Sequence, residues 1–317
     1  MSSVIGKARL IKFLFLIVLL LLLFGGGAKM IVAGGAKSLD MADKLLGKGD
    51  GARLLLADQP YGRGPRQSLD IWVPDGTRAG DRLPVVIFFY GGGWDSGDRQ
   101  SYGFAGRALA GDGFLTVIPD YRLTPKAHWP DFLEDGAAAV AWVQEHVEKL
   151  GGDPDRIALM GHSAGAYNAA MLALDPQWLR AAGSDVSVVR GVAGLAGPYD
   201  FLPLEKGGMA DRAMGRVKPA DRTQPISFAR GDAPPLWLAT GDEDTTVRPR
   251  NSQNLAAAIE RLGGSATLRI YPGVGHTGIV MALAAPFRRK GPVLAEASDF
   301  LRGVTGRRIA PAEAAAE

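Results

Sequence analysis

Short apolar runs alternate with helix-like stretches over most of this 317-residue chain. Several runs are continuous and bounded by Gly, Pro or Asp, as is typical of strands covered on both faces of a parallel sheet. The candidate strands are residues 52–57, 68–73, 85–90, 115–119, 156–160, 189–195, 235–240 and 267–271. The candidate helices are residues 101–111, 131–149, 164–174, 249–262 and 290–304. This succession predicts one doubly wound α/β domain over residues 52–305, with about eight strands and helices on both faces.

Both ends of the chain and one internal segment fall outside this alternation. Residues 29–51 are short of bulky apolar side chains and predict a linker with about one helical turn. Residues 306–317, whose end is rich in alanine, predict a flexible tail. Residues 199–231 lack strong periodicity and lie between two predicted strands. They would form either a cap over a site or a plain surface excursion.

The first 28 residues have the order of a targeting signal. Lys7, Arg9 and Lys12 precede an uninterrupted apolar run at residues 13–24, which is shorter than the about 20 residues that cross a bilayer core. A secretory signal has a run of this length, so residues 1–28 predict a signal peptide or, if it is not cleaved, a membrane anchor. The basic residues before the run predict export of the domain, either free in the periplasm or anchored outside the cytoplasmic membrane.

The formal net charge of +3 has its origin in the same stretch. Without Lys7, Arg9 and Lys12, basic and acidic residues balance at 33 each. No nucleic-acid partner is therefore expected. The absence of cysteine excludes disulfides and thiolate metal sites, and the histidines lack metal-ligand spacing, so we expect neither a metal nor another cofactor. The four histidines are His128, His146, His162 and His276.

The sequence Gly-His-Ser-Ala-Gly at residues 161–165 lies directly after a predicted strand and before a predicted helix. It is the G-x-S-x-G pattern in the strand–turn–helix context that a nucleophilic serine requires. Glycines on both sides allow a tight turn and a close approach of helix and strand. The pattern therefore predicts Ser163 as a nucleophile whose hydroxyl stands above the sheet, at the positive end of the helix.

A nucleophilic serine needs a base that accepts its proton and an acid that orients the base. The motif resembles that of the α/β-hydrolases, in which the acid and then the histidine follow the serine along the chain. Three of the four histidines precede Ser163, which leaves His276, in a glycine-rich loop directly after the last predicted strand. The loop after the preceding strand offers three carboxylates, and spacing does not choose among Asp242, Glu243 and Asp244.

A second glycine-rich loop, Tyr90-Gly91-Gly92-Gly93-Trp94, follows the third predicted strand. Acyl transfer requires fixed N–H donors where the carbonyl oxygen becomes negative. The backbone N–H groups of Gly92 and Gly93, together with that of Ala164, are predicted to form this oxyanion hole. A phosphate-binding loop is not indicated, because neither G-x-x-x-x-G-K-[ST] nor G-x-G-x-x-G is present.

Together these motifs resemble the α/β-hydrolase carboxylesterases, in particular the hormone-sensitive-lipase-like and bacterial feruloyl-esterase-like branches. The resemblance covers about residues 52–304. Its segments are YGGGW at 90–94, DYRLTP at 120–125, GHSAGA at 161–166, GDEDTTV at 241–247 and GVGHTGI at 273–279. It implies the α/β-hydrolase fold, and the last Asp of the family's G-x-x-D-x-x-V pattern falls on Asp244, which becomes the predicted acid. The lipase-like branch usually has His where this chain has Tyr90.

The resemblance implies a serine carboxylesterase that hydrolyses small carboxylic esters through Ser163, His276 and Asp244. Feruloyl or acetyl-xylan esterases, arylformamidase-like amidases and peptidases share such a triad and remain alternatives. A catalytically inactive hydrolase fold used for binding is an alternative of another class. The expected partner is a small-molecule ester, with membrane contact through the N-terminal segment if it is retained. The sequence does not indicate an oligomeric state.

Other polar and aromatic residues near these motifs are interpreted as structural. Asp120, Arg122 and Asp135 predict a charge network beneath the glycine-rich loop, and His162 is predicted to pack under the serine turn. Three tryptophans could line an acyl pocket, although aromatic side chains more often belong to the core. They are Trp94, Trp129 and Trp178.

Overall fold

The structure is a computed structural model that describes residues 27–47 and 50–306. The signal or anchor predicted over residues 1–28 and the tail predicted over residues 306–317 lie almost entirely outside the described residues. Both therefore stay predictions. Among the described helices, none is long and apolar enough to cross a membrane.

Eight strands form one sheet at the centre of the described fold. They are β1 (Ala52–Pro60), β2 (Ser68–Pro74), β3 (Leu83–Phe89), β4 (Leu115–Pro119), β5 (Gly152–His162), β6 (Val189–Leu195), β7 (Leu236–Gly241) and β8 (Ala266–Tyr271). Their order across the sheet is β1-β2-β4-β3-β5-β6-β7-β8. The β1–β2 and β2–β4 pairs are antiparallel, and the other neighbouring pairs are parallel. The prediction of a mostly parallel sheet of about eight strands is confirmed.

Helices cover both faces of this sheet. They are α1 (Gly27–Leu46), α2 (Gly103–Gly111), α3 (Asp131–His146), α4 (Ala164–Leu174), α5 (Gln177–Ala181), α6 (Met209–Met214), α7 (Arg250–Arg261), α8 (His276–Met281) and α9 (Val293–Gly306). On one face α2 packs against α9, and on the other α3 packs against α4. The five predicted helices correspond to α2, α3, α4, α7 and α9. Their ends differ by a few residues where 3₁₀ turns continue the chain, as at Val147–Leu150.

Burial follows from this layering. Every residue of β4 and of β7 is buried, because strands covered on both faces contact apolar side chains in two directions. At the edge of the sheet β1 has helix cover on one side only, and its Leu54 is 41% exposed. The core consequently lies along the centre of the sheet, beneath the carboxyl ends of the parallel strands.

The helix α1 corrects the prediction for residues 29–51. That segment was predicted to be a linker with about one helical turn, whereas α1 is 20 residues long and contains one non-helical residue, Gly35 (φ 61°, ψ −162°). Leu39 and Ala42 are buried in it, and it packs against α2. The prediction was wrong because α1 is held largely by buried charged side chains, which in a sequence look like those of a solvated linker.

Two carboxylates of α1, Asp40 and Asp43, pair with Arg107 of α2. Arg107 Nη2 donates to Asp40 Oδ1 at 2.7 Å, and Arg107 Nε donates to Asp43 Oδ2 at 2.8 Å. Asp43 Oδ1 also accepts the backbone N–H of Ala285, just beyond α8, at 2.8 Å. All three charged side chains are at most 8% exposed. This buried cluster therefore fixes α1 to the body of the domain at two points.

Loss of the Arg107 cation would leave the buried Asp43 without a charge partner and would leave Asp40 with only the exposed Lys44, whose Nζ lies 2.7 Å from Asp40 Oδ2. We expect Arg107→Met to lower the free energy of unfolding by about 3–5 kcal/mol. The matched control is Arg302→Met in α9, where a half-exposed guanidinium pairs with exposed Asp299, and there the loss should stay below about 1 kcal/mol. Urea unfolding followed by circular dichroism measures both values. Equal losses in the two variants would contradict a stabilising role for the Arg107 cluster.

Candidate active site

The carboxyl ends of four parallel strands carry the candidate site. The glycine-rich loop follows β3, Ser163 follows β5, Asp244 follows β7 and His276 follows β8. Because the carboxyl ends of parallel strands meet at one edge of the sheet, residues far apart in the chain converge there. The structure thus brings together the three residues predicted as nucleophile, acid and base.

Ser163 lies in the turn between β5 and α4 with backbone angles of φ 54° and ψ −122°. Its N–H donates to the carbonyl oxygen of Leu195 in β6 at 2.8 Å. A Cβ on Gly165 would overlap the carbonyl oxygen of Phe89 in β3, and a Cβ on Gly161 would overlap Gly165. The two glycines therefore allow the tight turn, which holds Ser163 in a conformation that typically costs about 1–3 kcal/mol.

Ser163, His276 and Asp244 form a continuous hydrogen-bonded chain. Ser163 Oγ lies 2.9 Å from His276 Nε2, and His276 Nδ1 lies 2.8 Å from Asp244 Oδ2. Of the three carboxylates that spacing left open, the structure places Asp244 against the histidine. Glu243 is exposed, and the exposed Asp242 instead accepts the backbone N–H of Gly273 at 2.7 Å.

Backbone donors hold the Asp244 carboxylate in its orientation. Asp244 is 3% exposed, and its Oδ1 accepts the backbone N–H groups of Thr246 at 2.9 Å and Val247 at 2.8 Å. These donors stabilise the ionised carboxylate and leave Oδ2 for the histidine. A carboxylate at Nδ1 favours the tautomer of His276 that carries its proton there. Nε2 is then free to accept the hydroxyl proton of Ser163.

The residues predicted to supply oxyanion N–H groups lie beside Ser163. Gly93 (φ 59°) and Ala164 line the same cavity as the serine, and Gly92 (φ 135°) precedes Gly93 in the loop. The carbonyl oxygen of Gly92 accepts the N–H groups of Asp95 and Ser96 at 3.1 and 3.0 Å, which fixes the loop in a tight turn. As the first residue of α4, Ala164 has an N–H that lacks an acceptor in the helix.

A cavity of about 400 Å³ opens at Ser163. Trp94 forms part of its apolar lining, and the segment 199–231 contributes to its wall through side chains that include Phe201, Leu204 and Met209. Sequence reasoning missed these wall residues, because the segment has no periodicity that shows which side chains face inward. The segment thus contributes part of the lining of the cavity that holds Ser163.

Two of the three tryptophans pack together. Trp129 and Trp178 meet edge to face with ring centroids 5.4 Å apart, and neither lines the cavity that holds Ser163.

A second cavity of about 450 Å³ lies at the amino ends of β6 and β7, lined in part by Arg230 and Asp232. It contains none of the predicted site residues. Among the described residues, no group of three or more His, Asp or Glu side chains is arranged to hold a metal ion.

His162 lies directly beneath the serine turn. It is 4% exposed, its Nε2 lies 3.1 Å from the backbone carbonyl oxygen of His276, and the two rings are 5.0 Å apart. Burial, and secondarily the nearby charge of His276, lowers the pKa of His162 to about 3. The neutral ring donates from Nε2 to His276 and so supports the histidine that contacts Ser163.

A polar network supports the loop that carries Gly92 and Gly93. Tyr90 Oη donates to Asp120 Oδ1 at 2.8 Å, and it accepts from Arg66 Nη2 at 2.7 Å. Arg122 Nε donates separately to the buried carboxylate of Asp135 at 2.9 Å. The predicted network of Asp120, Arg122 and Asp135 is therefore two clusters. The role of Arg66 was missed because it comes from a distant loop.

The BD-FAE family model matches residues 69–259, more than half of the chain. The chain belongs to the BD-FAE family. This BD-FAE protein is 35% identical over 271 residues to Esterase LipQ of Mycobacterium tuberculosis, a match that covers 80% of this chain and 63% of LipQ. It is 32% identical over 242 residues to Esterase LipC of the same species, covering 68% of this chain and 58% of LipC. The chain thus spans about three fifths of the length of these curated relatives.

Solved esterases share the fold of this BD-FAE domain. An inhibited Esterase B from Lactobacillus rhamnosis superposes with a TM-score of 0.73 at 23% identity, over 85% of this chain and 93% of that chain. The apo form of esterase 2 from Thermogutta terrifontis gives a TM-score of 0.67 at 24% identity, over 82% of this chain and 97% of that chain. This likeness confirms the α/β-hydrolase fold that the motifs imply.

The lowered pKa of His162 predicts a pH dependence of stability. Below the ordinary value of 6.5 the unfolded chain binds a proton at this position, whereas the folded protein does not until about pH 3. Folding stability should therefore fall as the pH drops through this window, by roughly 1 kcal/mol per pH unit from this group.

Urea unfolding of the wild type and of His162→Gln at several pH values between 6.5 and 4 measures this contribution. We expect a shallower loss of stability in His162→Gln than in the wild type. His146→Gln, which removes a histidine from the surface, is the matched control and should keep the wild-type slope. The same slope in all three proteins would contradict the assignment.

Proposed function

We propose that this chain is a serine carboxylesterase that hydrolyses small carboxylic esters through an acyl-enzyme intermediate. The observation that carries the proposal is the hydrogen-bonded chain from Asp244 through His276 to Ser163, which ends at a cavity of about 400 Å³. Membership of the BD-FAE family and similarity to proteins named as esterases support the same reaction.

In the first step, Ser163 Oγ attacks the ester carbonyl carbon while His276 Nε2 accepts the hydroxyl proton. The carbonyl oxygen becomes negative and is stabilised by the backbone N–H groups of Gly93 and Ala164, with Gly92 as the third proposed donor. The Asp244 carboxylate stabilises the imidazolium that forms at His276. Collapse of the tetrahedral intermediate expels the alcohol, which takes the proton from Nε2 and leaves an acyl group on Ser163.

In the second step, water attacks the acyl group on Ser163 and His276 accepts the proton of that water. The oxyanion is again stabilised by the backbone N–H groups at Gly93 and Ala164. Collapse of the second intermediate returns the proton to Ser163 Oγ and releases the carboxylic acid. The proposed reaction uses one water for each ester cleaved, and all its proton transfers pass through His276.

Hydrolysis of para-nitrophenyl esters from acetate to laurate tests this proposal. We expect activity that peaks at short chains, because the cavity is small. Ser163→Ala should lower kcat by at least about 10⁴-fold, since the nucleophile is absent. Ser227→Ala, at an exposed position away from the cavity, should keep the wild-type rate.

Absence of activity on every ester, in a preparation shown to be folded, would overturn the carboxylesterase proposal. It would direct the search to amides and peptides, or to a binding role for the same fold. Equal activity in Ser163→Ala and the wild type would overturn the assignment of the nucleophile while leaving esterase activity in place.

The choice of acid is tested separately by two substitutions that each remove one carboxylate charge. Asp244→Asn should lower kcat by about 10³–10⁴-fold, because an amide does not hold the same histidine tautomer. Asp242→Asn changes an exposed carboxylate in the same turn and should retain most of the activity. Steady-state rates on one short ester measure both. A larger loss in Asp242→Asn would show that the acid is misassigned.

A further inference from the structure

Two arginines line the cavity that opens at Ser163. Arg248 and Arg250 lie beyond β7, and both are exposed to solvent. Within the described residues, neither guanidinium forms an ion pair or a side-chain hydrogen bond. The nearby Arg212, by contrast, is paired with Asp95 at 2.6 Å. Both cavity arginines therefore have all their donors available to a ligand.

The backbone that carries these arginines is fixed by the same contacts that hold the candidate acid. The N–H of Val247, one residue before Arg248, donates to Asp244. Asn251 Nδ2 then donates to the carbonyl oxygen of Arg248 at 3.1 Å, and Asn251 Oδ1 accepts the N–H of Tyr199 at 2.9 Å. Arg248 and Arg250 consequently start from a rigid turn, and only their side chains need to move to reach a ligand.

One carboxylate opposes them. Among the described residues that line the cavity, Glu205 is the single acid, and it lies on the wall formed by the segment 199–231. Glu205 makes no ion pair with Arg248 or Arg250 within the described part of the chain. Two cations against one anion give the residues that line the cavity a net positive charge. Apolar side chains make up much of the remaining lining. The positive charge of the arginines therefore acts on a ligand that binds in the cavity beside Ser163.

We propose that this cavity selects esters that carry a carboxylate elsewhere in the molecule, and that Arg248 and Arg250 bind this carboxylate while Ser163 attacks the ester. The inference rests on the proposed esterase function and names its substrate class. Guanidinium groups pair with carboxylates through two parallel N–H donors. The acid group belongs to the acyl part, as in monoesters of dicarboxylic acids, or to the alcohol part, as in esters of hydroxy acids.

The expected contribution of the two arginines to kcat/KM follows from the solvent exposure of their guanidinium groups. Both guanidinium groups are in contact with solvent, where a single ion pair changes binding only modestly and salt screens it. We expect each arginine to contribute about threefold to kcat/KM for the acidic ester, and the pair about tenfold. The preference should shrink as the ionic strength rises.

Two pairs of esters distinguish the acyl and alcohol positions. The para-nitrophenyl monoester of adipic acid is compared with the para-nitrophenyl ester of monomethyl adipate. The butyrate ester of para-hydroxybenzoate is compared with the butyrate ester of its methyl ester. The readout is the ratio of kcat/KM for the acidic ester to that for the neutral ester within each pair, measured in each variant. A general loss of activity cancels in this ratio.

Removal of the arginines should lower this ratio in at least one pair of esters. We expect a drop of about threefold in Arg248→Gln and in Arg250→Gln, and about tenfold in the double variant. Glu205→Gln should raise the ratio, because it removes the opposing charge. Arg261→Gln, at the far end of α7 from the cavity, makes the same charge change and should leave the ratio as in the wild type.

A ratio that is the same in the double variant as in the wild type, for both pairs, would overturn this inference. Hydrolysis of the neutral esters would then continue to support the esterase proposal. If instead neither ester of either pair is hydrolysed by the folded wild type, the proposed function fails and this inference fails with it. The two failures are therefore distinguishable in one set of assays.

Discussion

The backbone at Ser163 is the constraint on which the site depends. Its φ of 54° places the serine in a turn that β5 and α4 hold only because Gly161 and Gly165 lack side chains. The turn is also bonded to β6 through the carbonyl oxygen of Leu195. The strands β5 and β6, together with the carbonyl oxygen of Phe89 in β3 that approaches Gly165, thus fix the position of one hydroxyl group. Such strain persists where the surrounding structure determines the conformation, and here it presents the nucleophile at the edge of the sheet.

The groups around Ser163 are held by backbone and buried polar contacts. Thr246 and Val247 orient the Asp244 carboxylate through their N–H groups, and neutral His162 supports the backbone of His276 from below. Beneath the glycine-rich loop, Tyr90 bonds to Asp120. Each member of the hydrogen-bonded chain therefore has a partner that faces away from the cavity, as preorganised sites require. The turn after Asp244 also carries the cavity arginines. The same segment therefore orients the acid of the hydrogen-bonded chain and carries the residues of the proposed selectivity for acidic esters.

Much of the fold was predictable because its central strands are buried on both faces and are therefore continuous apolar runs. The buried central strands follow from that pattern, and the edge strands and five of the helices follow from the alternation of strand-like and helix-like segments. The helix α1 did not, since Asp40 and Asp43 are stabilised by Arg107 from a helix more than 60 residues away in the chain. Nothing in the sequence near either aspartate indicates that its carboxylate is buried. The same reason explains why Arg66, beneath the glycine-rich loop, was missed.

The sequence by itself determined the strand order along the chain, the position of the serine turn and, by elimination, the choice of His276. These depend on local patterns, in which glycines permit a turn and apolar runs predict buried strands. Spacing left Asp242, Glu243 and Asp244 open, and only the family resemblance pointed to Asp244, which the structure places against His276. The tertiary structure alone decided which side chains of the segment 199–231 line the cavity, and that Arg248 and Arg250 lie on it. Those features depend on which way a side chain faces after distant segments have packed, and no local pattern encodes that direction.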